Sequence, residues 1–537
     1  WPRVAGDLDR YAEEWQDMHR EACEAHRRGE TSGALLDRRM ACLEQRKAAL
    51  EAAAAVLGEA DGDVALHALE LVARLPPLAR CDDLAALEAA VPPPDDPQVR
   101  AAVAALRLRI AHVEALEHAG LPTAALALAD EVVRTAEATD ERGALAEALL
   151  QRGRLGINRI ELPPGQDAML TRAFLTALGG KHDELATEAL ALRMFVRGRE
   201  VGQTARALED LAVAEEMLAR LPGAGAVRGL VLNNAGAVYM ARGDAARAAE
   251  LFREALAARE AALGPDHIEV ALTLANLAMI SPPDERGPLL QRALEILDRR
   301  LGRAHPQTLD LRLADGFYAQ DPREARDLVA PGCDALGRFS QHDRTQRARC
   351  LSYLGHHAAE SGDDVAAAAA YREVAELLAE ADDLPIPAPE LAQLRGRARL
   401  YTREHAAAIV ELRAQLAAQR PTDEWWQGRM RAELELLLAL HLQRTGDLVA
   451  ARDTLESAVR GLEAAAAHAP DVLLQQRLAA ARSALAALLL SGASDGDRVA
   501  EARDLRRAAE QWYRESGPGY AWRLDNLRAL AGRLTAP

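Results

Sequence analysis

LNNAGAVYMARGDAARAAELFREA, residues 232–255, is the stretch that decides the fold. Small and bulky residues recur in it at helical spacing, namely Gly236, Ala248 and Ala255 against Leu232, Tyr239 and Phe252. The small residues let two antiparallel helices approach closely, and the bulky ones fill the gap between neighbouring helix pairs. Because one such pair cannot bury its apolar face alone, the stretch predicts a stack of helix pairs.

The spacing resembles that of a tetratricopeptide repeat, with Gly243 at its turn. Degenerate copies follow one another along most of the chain from Gln98 onward. The sequence therefore predicts an all-α fold, an α-solenoid or right-handed superhelix of tetratricopeptide-type helix pairs, preceded by an N-terminal helical hairpin module. Such a stack is typical of a surface that holds a partner rather than of a pocket for chemistry.

Composition narrows the class of partner. The chain has 537 residues, 49% of them hydrophobic but only 4% aromatic, which favours helices packed through small residues. A formal net charge of −17 opposes nonspecific binding to nucleic acid or anionic lipid, so we expect no nucleic-acid partner. No apolar run reaches the roughly 18 to 20 residues of a membrane span, so we expect no membrane insertion by this chain. Because it begins at Trp1 without a leader, we expect it to be a portion of a larger protein.

Proline-rich segments and repeat quality divide the chain. The run Val91–Pro97, VPPPDDP, cannot be helical and is the clearest predicted boundary. The predicted domains are an N-terminal helical module at 1–97, degenerate helical repeats at 98–221, well-formed repeats at 222–337, further repeats at 338–515, and a C-terminal capping helix at 516–537.

The best-formed repeats resemble the kinesin-light-chain subtype of tetratricopeptide repeat. Leu274 and Asn276 repeat Leu232 and Asn234 at an offset of 42 residues, and the linker LGPDH at 263–267 announces the second copy. The linker itself recurs as LGRAH at 301–305. This resemblance implies a peptide-binding class of repeat with long helices.

The N-terminal module resembles a different region, the one that follows the kinase domain in large serine/threonine protein kinases of myxobacterial type. The residues that carry this resemblance are Tyr11, Trp15, Met18, EACE at 21–24, RGE at 28–30, Ser32, LLDRRMACL at 35–43 and LPPLARC at 75–81. In that family a cytoplasmic kinase is commonly joined through one membrane helix to such a module and then to repeats. The resemblance implies an upstream kinase domain in the same polypeptide and an extracytoplasmic, periplasmic location for this chain. Its own sequence lacks the glycine-rich, HRD and DFG motifs of a kinase, so we expect no enzyme activity from this chain.

Five cysteines lack the spacing of a zinc site. Cys23 and Cys42 flank one predicted turn, and Cys333 and Cys350 flank another, so each pair can meet across a helical hairpin. The alternative is that they are small buried hydrophobes in a reducing cytoplasm. The kinase resemblance implies an oxidising compartment and hence a Cys23–Cys42 disulfide.

Amide side chains on the first helix of each repeat are the candidate ligand contacts. Asn233, Asn234 and Asn276 lie there, with Asn234 and Asn276 at equivalent positions. An amide offers a donor and an acceptor, so it can bind the backbone of an extended peptide in a concave groove. The alternative is a structural amide that ties adjacent helices together. Arg312, Tyr353 and His356 are further candidates on later first helices.

Other motifs predict no chemistry. GASDG at 492–496 matches a hydrolase nucleophile elbow around Ser494, but helices rather than a strand are predicted before it. GKH at 180–182 lacks the serine or threonine of a phosphate loop, and GAGAVRG at 223–229 has its third glycine one position late. His356 and His357 point about 100° apart on a helix. We therefore expect no catalytic residue, no metal ligand and no cofactor.

The function predicted from these patterns is a non-catalytic scaffold that binds a protein or peptide ligand in its concave groove. It is predicted to be the sensor or regulatory region of a bacterial serine/threonine protein kinase. The alternative is a cytoplasmic assembly scaffold of a multiprotein complex unrelated to a kinase. A hydrolase using Ser494 is a third hypothesis, which predicts loss of activity in Ser494→Ala.

Overall fold

The protein is all-α throughout the residues that its computed structural model describes, and the predicted solenoid class is confirmed. Those residues are 1–139, 141–157, 165–199, 203–221, 223–303, 305–318, 322–336, 343–379, 386–419, 425–468, 472–491, 496–516 and 520–534. They form two compact units, Trp1–His305 and Pro306–Pro537. Within the described ranges, no helix is both long and apolar enough to cross a membrane.

The first unit contains an N-terminal module and five helix pairs. The module consists of α1 (Pro2–Arg27), α2 (Gly33–Gly58), α3 (Gly62–Ala73), a 3-10 turn (Leu78–Asp82) and α4 (Leu84–Ala89). The pairs are α5 (Pro97–His118) with α6 (Pro122–Glu137), α7 (Arg142–Ile157) with α8 (Gln166–Gly179), α9 (Asp183–Arg199) with α10 (Thr204–Leu218), α11 (Gly225–Ala241) with α12 (Ala245–Leu263), and α13 (Ile268–Ile280) with α14 (Pro283–Arg300).

The second unit contains five more pairs and a terminal helix. They are α15 (Pro306–Tyr318) with α16 (Pro322–Leu336), α17 (Asp343–Glu360) with α18 (Asp364–Leu377), α19 (Ala388–Thr402) with α20 (His405–Ala418), α21 (Trp425–Thr445) with α22 (Leu448–His468), α23 (Val472–Ser491) with α24 (Gly496–Glu515), and finally α25 (Ala521–Leu534). In both units the first helix of each pair packs on the first helix of the next, for example α9 on α11 and α17 on α19. The first helices therefore line the inner side of each stack.

A glycine–aspartate turn joins the two helices of the clear repeats. Gly243 adopts φ +81°, a left-handed conformation that costs glycine little, and the carboxylate of Asp244 then caps α12 by accepting a hydrogen bond from the Arg247 amide at 3.1 Å. The same pairing recurs at 362–363 and 446–447. Two other turns instead place a non-glycine residue in the left-handed conformation, Lys181 before α9 at φ 63° and Arg403 between α19 and α20 at φ 64°. A non-glycine residue there is strained by about 1 kcal/mol.

In the repeat formed by α11 and α12, one glycine, Gly236, allows the two helices to pack closely. A Cβ added to Gly236 would lie 2.7 Å from the ring of Phe252, which is fully buried between the helices. Ala248 and Ala255 are also fully buried. The second unit repeats this arrangement, since a Cβ on Gly355 would lie 2.8 Å from the ring of Tyr371. The small-against-bulky pattern of the sequence therefore describes a real helix contact.

The module is held by specific bonds between α1, α2 and the 3-10 turn. The indole N–H of Trp15 donates to the Leu43 carbonyl at 2.8 Å, and the hydroxyl of Tyr11 donates to the Pro76 carbonyl at 2.7 Å. The Trp15 ring also packs in a small apolar cluster with Leu78. These contacts explain why residues 11–43 and 75–81, far apart in sequence, occur together as one module.

The cysteine prediction for the module is wrong. Cys42 is bonded to Cys81, with Cα atoms 5.5 Å apart, and Cys23 is a free, partly buried thiol. The cause is helix periodicity: Ala22 is the buried residue on the α1 face that packs in this cluster, and its neighbour Cys23 lies about 100° around the helix. Cys81 is fully buried on the 3-10 turn that packs against α2.

In the second unit Cys333 and Cys350 do form a disulfide, between α16 and α17, with Cα atoms 5.7 Å apart. The terminal helix α25 packs on α23 and α24, and it also reaches α17, because Arg523 forms an ion pair with the buried carboxylate of Glu360. The helix predicted as a terminal cap is thus also tied to an earlier pair of the same unit.

Candidate functional site

A ladder of amides crosses three first helices of the first unit. Asn234, which is buried, donates to the Ala191 carbonyl of α9 at 2.9 Å, and Asn233 donates to the Asn234 oxygen at 3.4 Å. Asn276 of α13 donates to the Asn233 oxygen at 3.1 Å. The three candidate amides therefore lie together, as the repeat offset predicts.

The members of this ladder differ in what they can still bind. Asn234 is buried and joins α11 to α9, which is the structural role that the sequence left open as an alternative. Asn233 and Asn276 are only half-buried. An amide has two donor hydrogens and two acceptor lone pairs, so their mutual bond leaves each with further hydrogen-bonding capacity. These two amides are the part of the ladder that a ligand can reach.

The later candidates Arg312, Tyr353 and His356 lie in the second unit. Tyr353 is buried in an apolar cluster with Leu309, Cys333 and Cys350. A Cβ on Gly316 would lie 2.2 Å from its hydroxyl oxygen, so the ring is enclosed between helices α15 and α17. Burial, with the nearby Asp315 charge, raises the pKa of this hydroxyl far above its usual range. Tyr353 is thus a core residue, and its prediction as a ligand contact is not supported by its position; Arg312 is half-buried on α15.

The N-terminal module lies along the ends at which successive first helices of its unit begin. The guanidinium of Arg80 makes a bidentate pair with Glu184 at the start of α9, at 2.7 and 2.8 Å, and also donates to the Gly223 carbonyl before α11. Arg74 pairs with Glu269 at the start of α13 at 3.1 Å. The module is therefore part of the solenoid's edge rather than a separate attachment.

A cavity of about 610 Å³ lies between the module and the first three helix pairs. It is lined by α2, the proline-rich segment 89–94, α5, α7 and the start of α9. Its walls carry both signs of charge, with Arg46 and Arg154 near the carboxyl group of Glu114 and with Arg107 paired with Glu147 at 2.8 Å. A cavity with polar walls of both signs is suited to polar groups rather than to a purely apolar ligand.

Glu114 is the most perturbed carboxyl group of this cavity. Burial raises its pKa to about 7, Arg154 and Arg46 act to lower it, and the neighbouring Glu117 and Glu147 charges act to raise it further. Sequence reasoning missed the cavity and Glu114 because the walls come from segments far apart in the chain, such as Arg80 and Glu184, which are separated by 104 residues. No local motif marks such a meeting point.

The described residues of the remaining motifs lie in turns and on helices. Lys181 lies in the turn before α9, and residues 223–229 run from a turn into α11. His356 and His357 are on α17, where burial lowers the pKa of each imidazole below its usual value, that of His357 to about 4. Ser494 lies outside the described residues.

The fold and the amide ladder define a helical-repeat protein, a class that indicates a protein-binding scaffold. The family comparison is consistent with this, since the tetratricopeptide repeat family matches residues 230–269, which contain most of α11, all of α12 and the start of α13. That match includes Asn233 and Asn234, and Asn276 lies seven residues beyond its end. The chain thus contains a tetratricopeptide repeat where its sequence pattern is clearest.

The solved structures that this chain is similar to include two proteins of low sequence identity. One is a Signal Transduction ATPase with Numerous Domains (STAND) protein with a tetratricopeptide repeat sensor from Pyrococcus horikoshii, at 14% identity and a TM-score of 0.39, covering 90% of this chain and 69% of that one. The other is yeast Tom70, at 12% identity and a TM-score of 0.29, covering 80% of this chain and 95% of that one. No curated protein matches the sequence.

Proposed function

We propose that the inner face of the first unit, at α11 and α13, binds an extended peptide segment of a protein partner. The observation that carries this proposal is the Asn233–Asn276 amide pair, bonded at 3.1 Å and half-buried on neighbouring first helices. Asn233 lies within the segment that matches the tetratricopeptide repeat family, and Asn276 lies seven residues beyond its end.

The chemistry of the pair favours recognition of a peptide backbone. Amide groups can donate to a backbone carbonyl and accept from a backbone N–H, whatever the side chains of the bound segment are. Charge adds a preference, because a chain of net charge −17 attracts basic segments and repels acidic ones. The proposed ligand is therefore an extended, neutral or basic stretch of polypeptide.

The test is selection and measurement of such a peptide on the whole chain. Phage display of random dodecapeptides selects binders, and fluorescence polarisation of a labelled binder then gives its dissociation constant. Two peptide hydrogen bonds are together worth about 1 to 3 kcal/mol, so the double variant Asn233→Ala/Asn276→Ala is expected to weaken binding about tenfold.

Gln291→Ala is the matched control, because Gln291 is an exposed amide on α14, a second helix of the same unit. It is expected to bind the peptide as the wild type does. Asn234→Ala is not a suitable test variant, since it removes the bond to the Ala191 carbonyl and disturbs the packing of α9. Unchanged affinity in the double variant, or equal weakening in Gln291→Ala, would contradict the proposal.

We further propose that this scaffold is the sensor region of a bacterial serine/threonine protein kinase. Support comes from the resemblance of residues 11–43 and 75–81 to the region that follows such kinase domains. The test is deletion of residues 222–337 from the full-length protein, with phosphorylation output measured with and without the selected peptide. Output that is unchanged under both conditions would refute a regulatory role.

The proposal includes an extracytoplasmic location, and the two disulfides, Cys42–Cys81 and Cys333–Cys350, support it. Thiol titration of protein isolated with alkylation under denaturing, nonreducing conditions tests it. One reactive thiol, that of Cys23, is expected. Five reactive thiols would instead favour the cytoplasmic assembly scaffold.

A further inference from the structure

A cluster of two histidines and one carboxylate joins the N-terminal module to the linker after α14. His67 and Glu70 are on α3, and His305 is the last residue of the linker LGRAH. All three side chains are buried, with exposures of 8%, 7% and 2%. One nitrogen or oxygen from each lies within 4.8 Å of the others.

The residues around the cluster hold its side chains in place. The Nε2 atom of His305 lies 2.9 Å from Oε2 of Glu70, and Arg74 donates to the other oxygen of the same carboxylate at 2.8 Å. The ring of His67 lies against Gly120, where an added Cβ would come within 2.5 Å of its Nδ1. The two imidazole rings meet edge to face, with centroids 5.2 Å apart.

This donor set fits a borderline divalent cation. Two imidazoles and one carboxylate are ligands that Zn²⁺ binds at about 2.0 to 2.2 Å, and a three-ligand set leaves one position for water. A carboxylate ligand is commonly oriented by a hydrogen bond from outside the first coordination sphere, which is the place that Arg74 occupies. The positive charge of Arg74 is shared with Glu269, at 3.1 Å, so it is not an isolated cation beside the site.

We propose that His67, Glu70 and His305 bind one Zn²⁺ ion, which pins α3 of the module to the linker after α14. The two elements are 235 residues apart in sequence at Glu70 and His305. An ion bound between them therefore stabilises the packing of the module against the repeats of its unit. The site is structural, and its ion holds the unit whose inner face carries the amide pair.

Isothermal titration of the chelator-treated whole chain with Zn²⁺ tests the proposal. We expect one saturable equivalent, with a rise in the melting temperature of the unit. Co²⁺ replaces Zn²⁺ as a probe with visible absorption. Coordination by nitrogen and oxygen atoms is expected to give visible bands only, whereas coordination by the Cys23 thiolate would add a charge-transfer band in the near ultraviolet. A wild-type chain with no saturable Zn²⁺ binding would overturn the proposal.

His305→Gln is the informative variant, because the glutamine amide can still donate to Glu70 and keep the fold. It is expected to lower Zn²⁺ affinity by about 100-fold or more, and His67→Gln by a similar factor. Circular dichroism checks that both variants remain helical.

Two control variants are expected to bind as the wild type does. His267→Gln changes the equivalent residue of the preceding linker, and His405→Ala changes a histidine whose Nδ1 lies 3.1 Å from that of His441. Binding that survives in His305→Gln and His67→Gln, or that is lost in His405→Ala instead, would place the ion elsewhere and overturn the proposal.

Discussion

Gly236→Ala tests the packing that defines the repeat. The new methyl carbon would lie 2.7, 2.8 and 3.0 Å from three ring carbons of Phe252, whereas carbon atoms in contact normally lie 3.5 to 4.0 Å apart. The ring is fully buried, so it must move by about 1 Å in a packed interior. Overpacking of this kind costs about 1 to 3 kcal/mol, and replacing glycine by alanine in a helix returns about 1 kcal/mol. Because the ring is fully buried, the cost is expected in the upper part of its range, at about 2 to 3 kcal/mol, which leaves a net loss of about 1 to 2 kcal/mol.

Hydrogen–deuterium exchange of the whole chain measures the effect locally. Amides of α11 and α12 are expected to exchange about tenfold faster in Gly236→Ala, since 1.4 kcal/mol corresponds to a factor of ten. Gly6→Ala is the control, because a Cβ on Gly6 in α1 meets nothing within 4 Å, and its α1 amides are expected to exchange more slowly. The double variant Gly236→Ala/Phe252→Leu is expected to regain part of the loss. Exchange in α11 and α12 that is unchanged or slower in Gly236→Ala would refute the reasoning.

Two further predictions concern buried charges of the first unit. Asp210→Asn is expected to cost about 3 to 5 kcal/mol in urea unfolding, because its 5%-exposed carboxylate accepts from both Arg193 and Arg197. The carboxylate of Asp167 is 30% exposed and bonds Arg197 but not Arg193, so Asp167→Asn is expected to lower the free energy of unfolding by only about 1 kcal/mol. Equal losses in the two variants would contradict the argument. The pKa of Glu114 is about 7 in the folded chain, against an ordinary value of 4.5. Its ionisation therefore lowers the free energy of unfolding as the pH rises from 4.5 to 7. Glu114→Gln is therefore expected to stabilise the chain by up to about 3 kcal/mol at pH 8, the equivalent of the whole shift, and not at pH 4. A pH-independent effect would count against this.

Local patterns predicted the helical elements well. The pattern at 232–255 gave the helix pair, because Gly236, Gly243 and Asp244 act on their own helices or on the adjacent one. The helix predicted after the proline-rich run begins one residue earlier than expected, at Pro97, because the Asp96 carboxylate caps α5. Such features depend on contacts within one or two turns, so they can be read without the rest of the chain.

The candidate site was predicted only in part. The repeat offset brought Asn233, Asn234 and Asn276 to one place, but burial assigns Asn234 to packing and Tyr353 to the core. The same amide or hydroxyl can face a ligand or a neighbouring helix, and only the curvature of the stack decides which. The wrong cysteine pairing has a similar cause, because a shift of one residue turns a side chain by about 100° around its helix.

The sequence by itself determined the helix pairs, their turns and the absence of kinase motifs, since each depends on residues close together in the chain. Tertiary structure alone decided the contacts between the module and the repeats: Arg80 with Glu184, the cavity around Glu114, and the meeting of His67 and Glu70 with His305. The physical reason is that these contacts form where chain segments more than a hundred residues apart are brought together by the stacking of intervening pairs. No local sequence periodicity predicts contacts between segments so far apart in the chain.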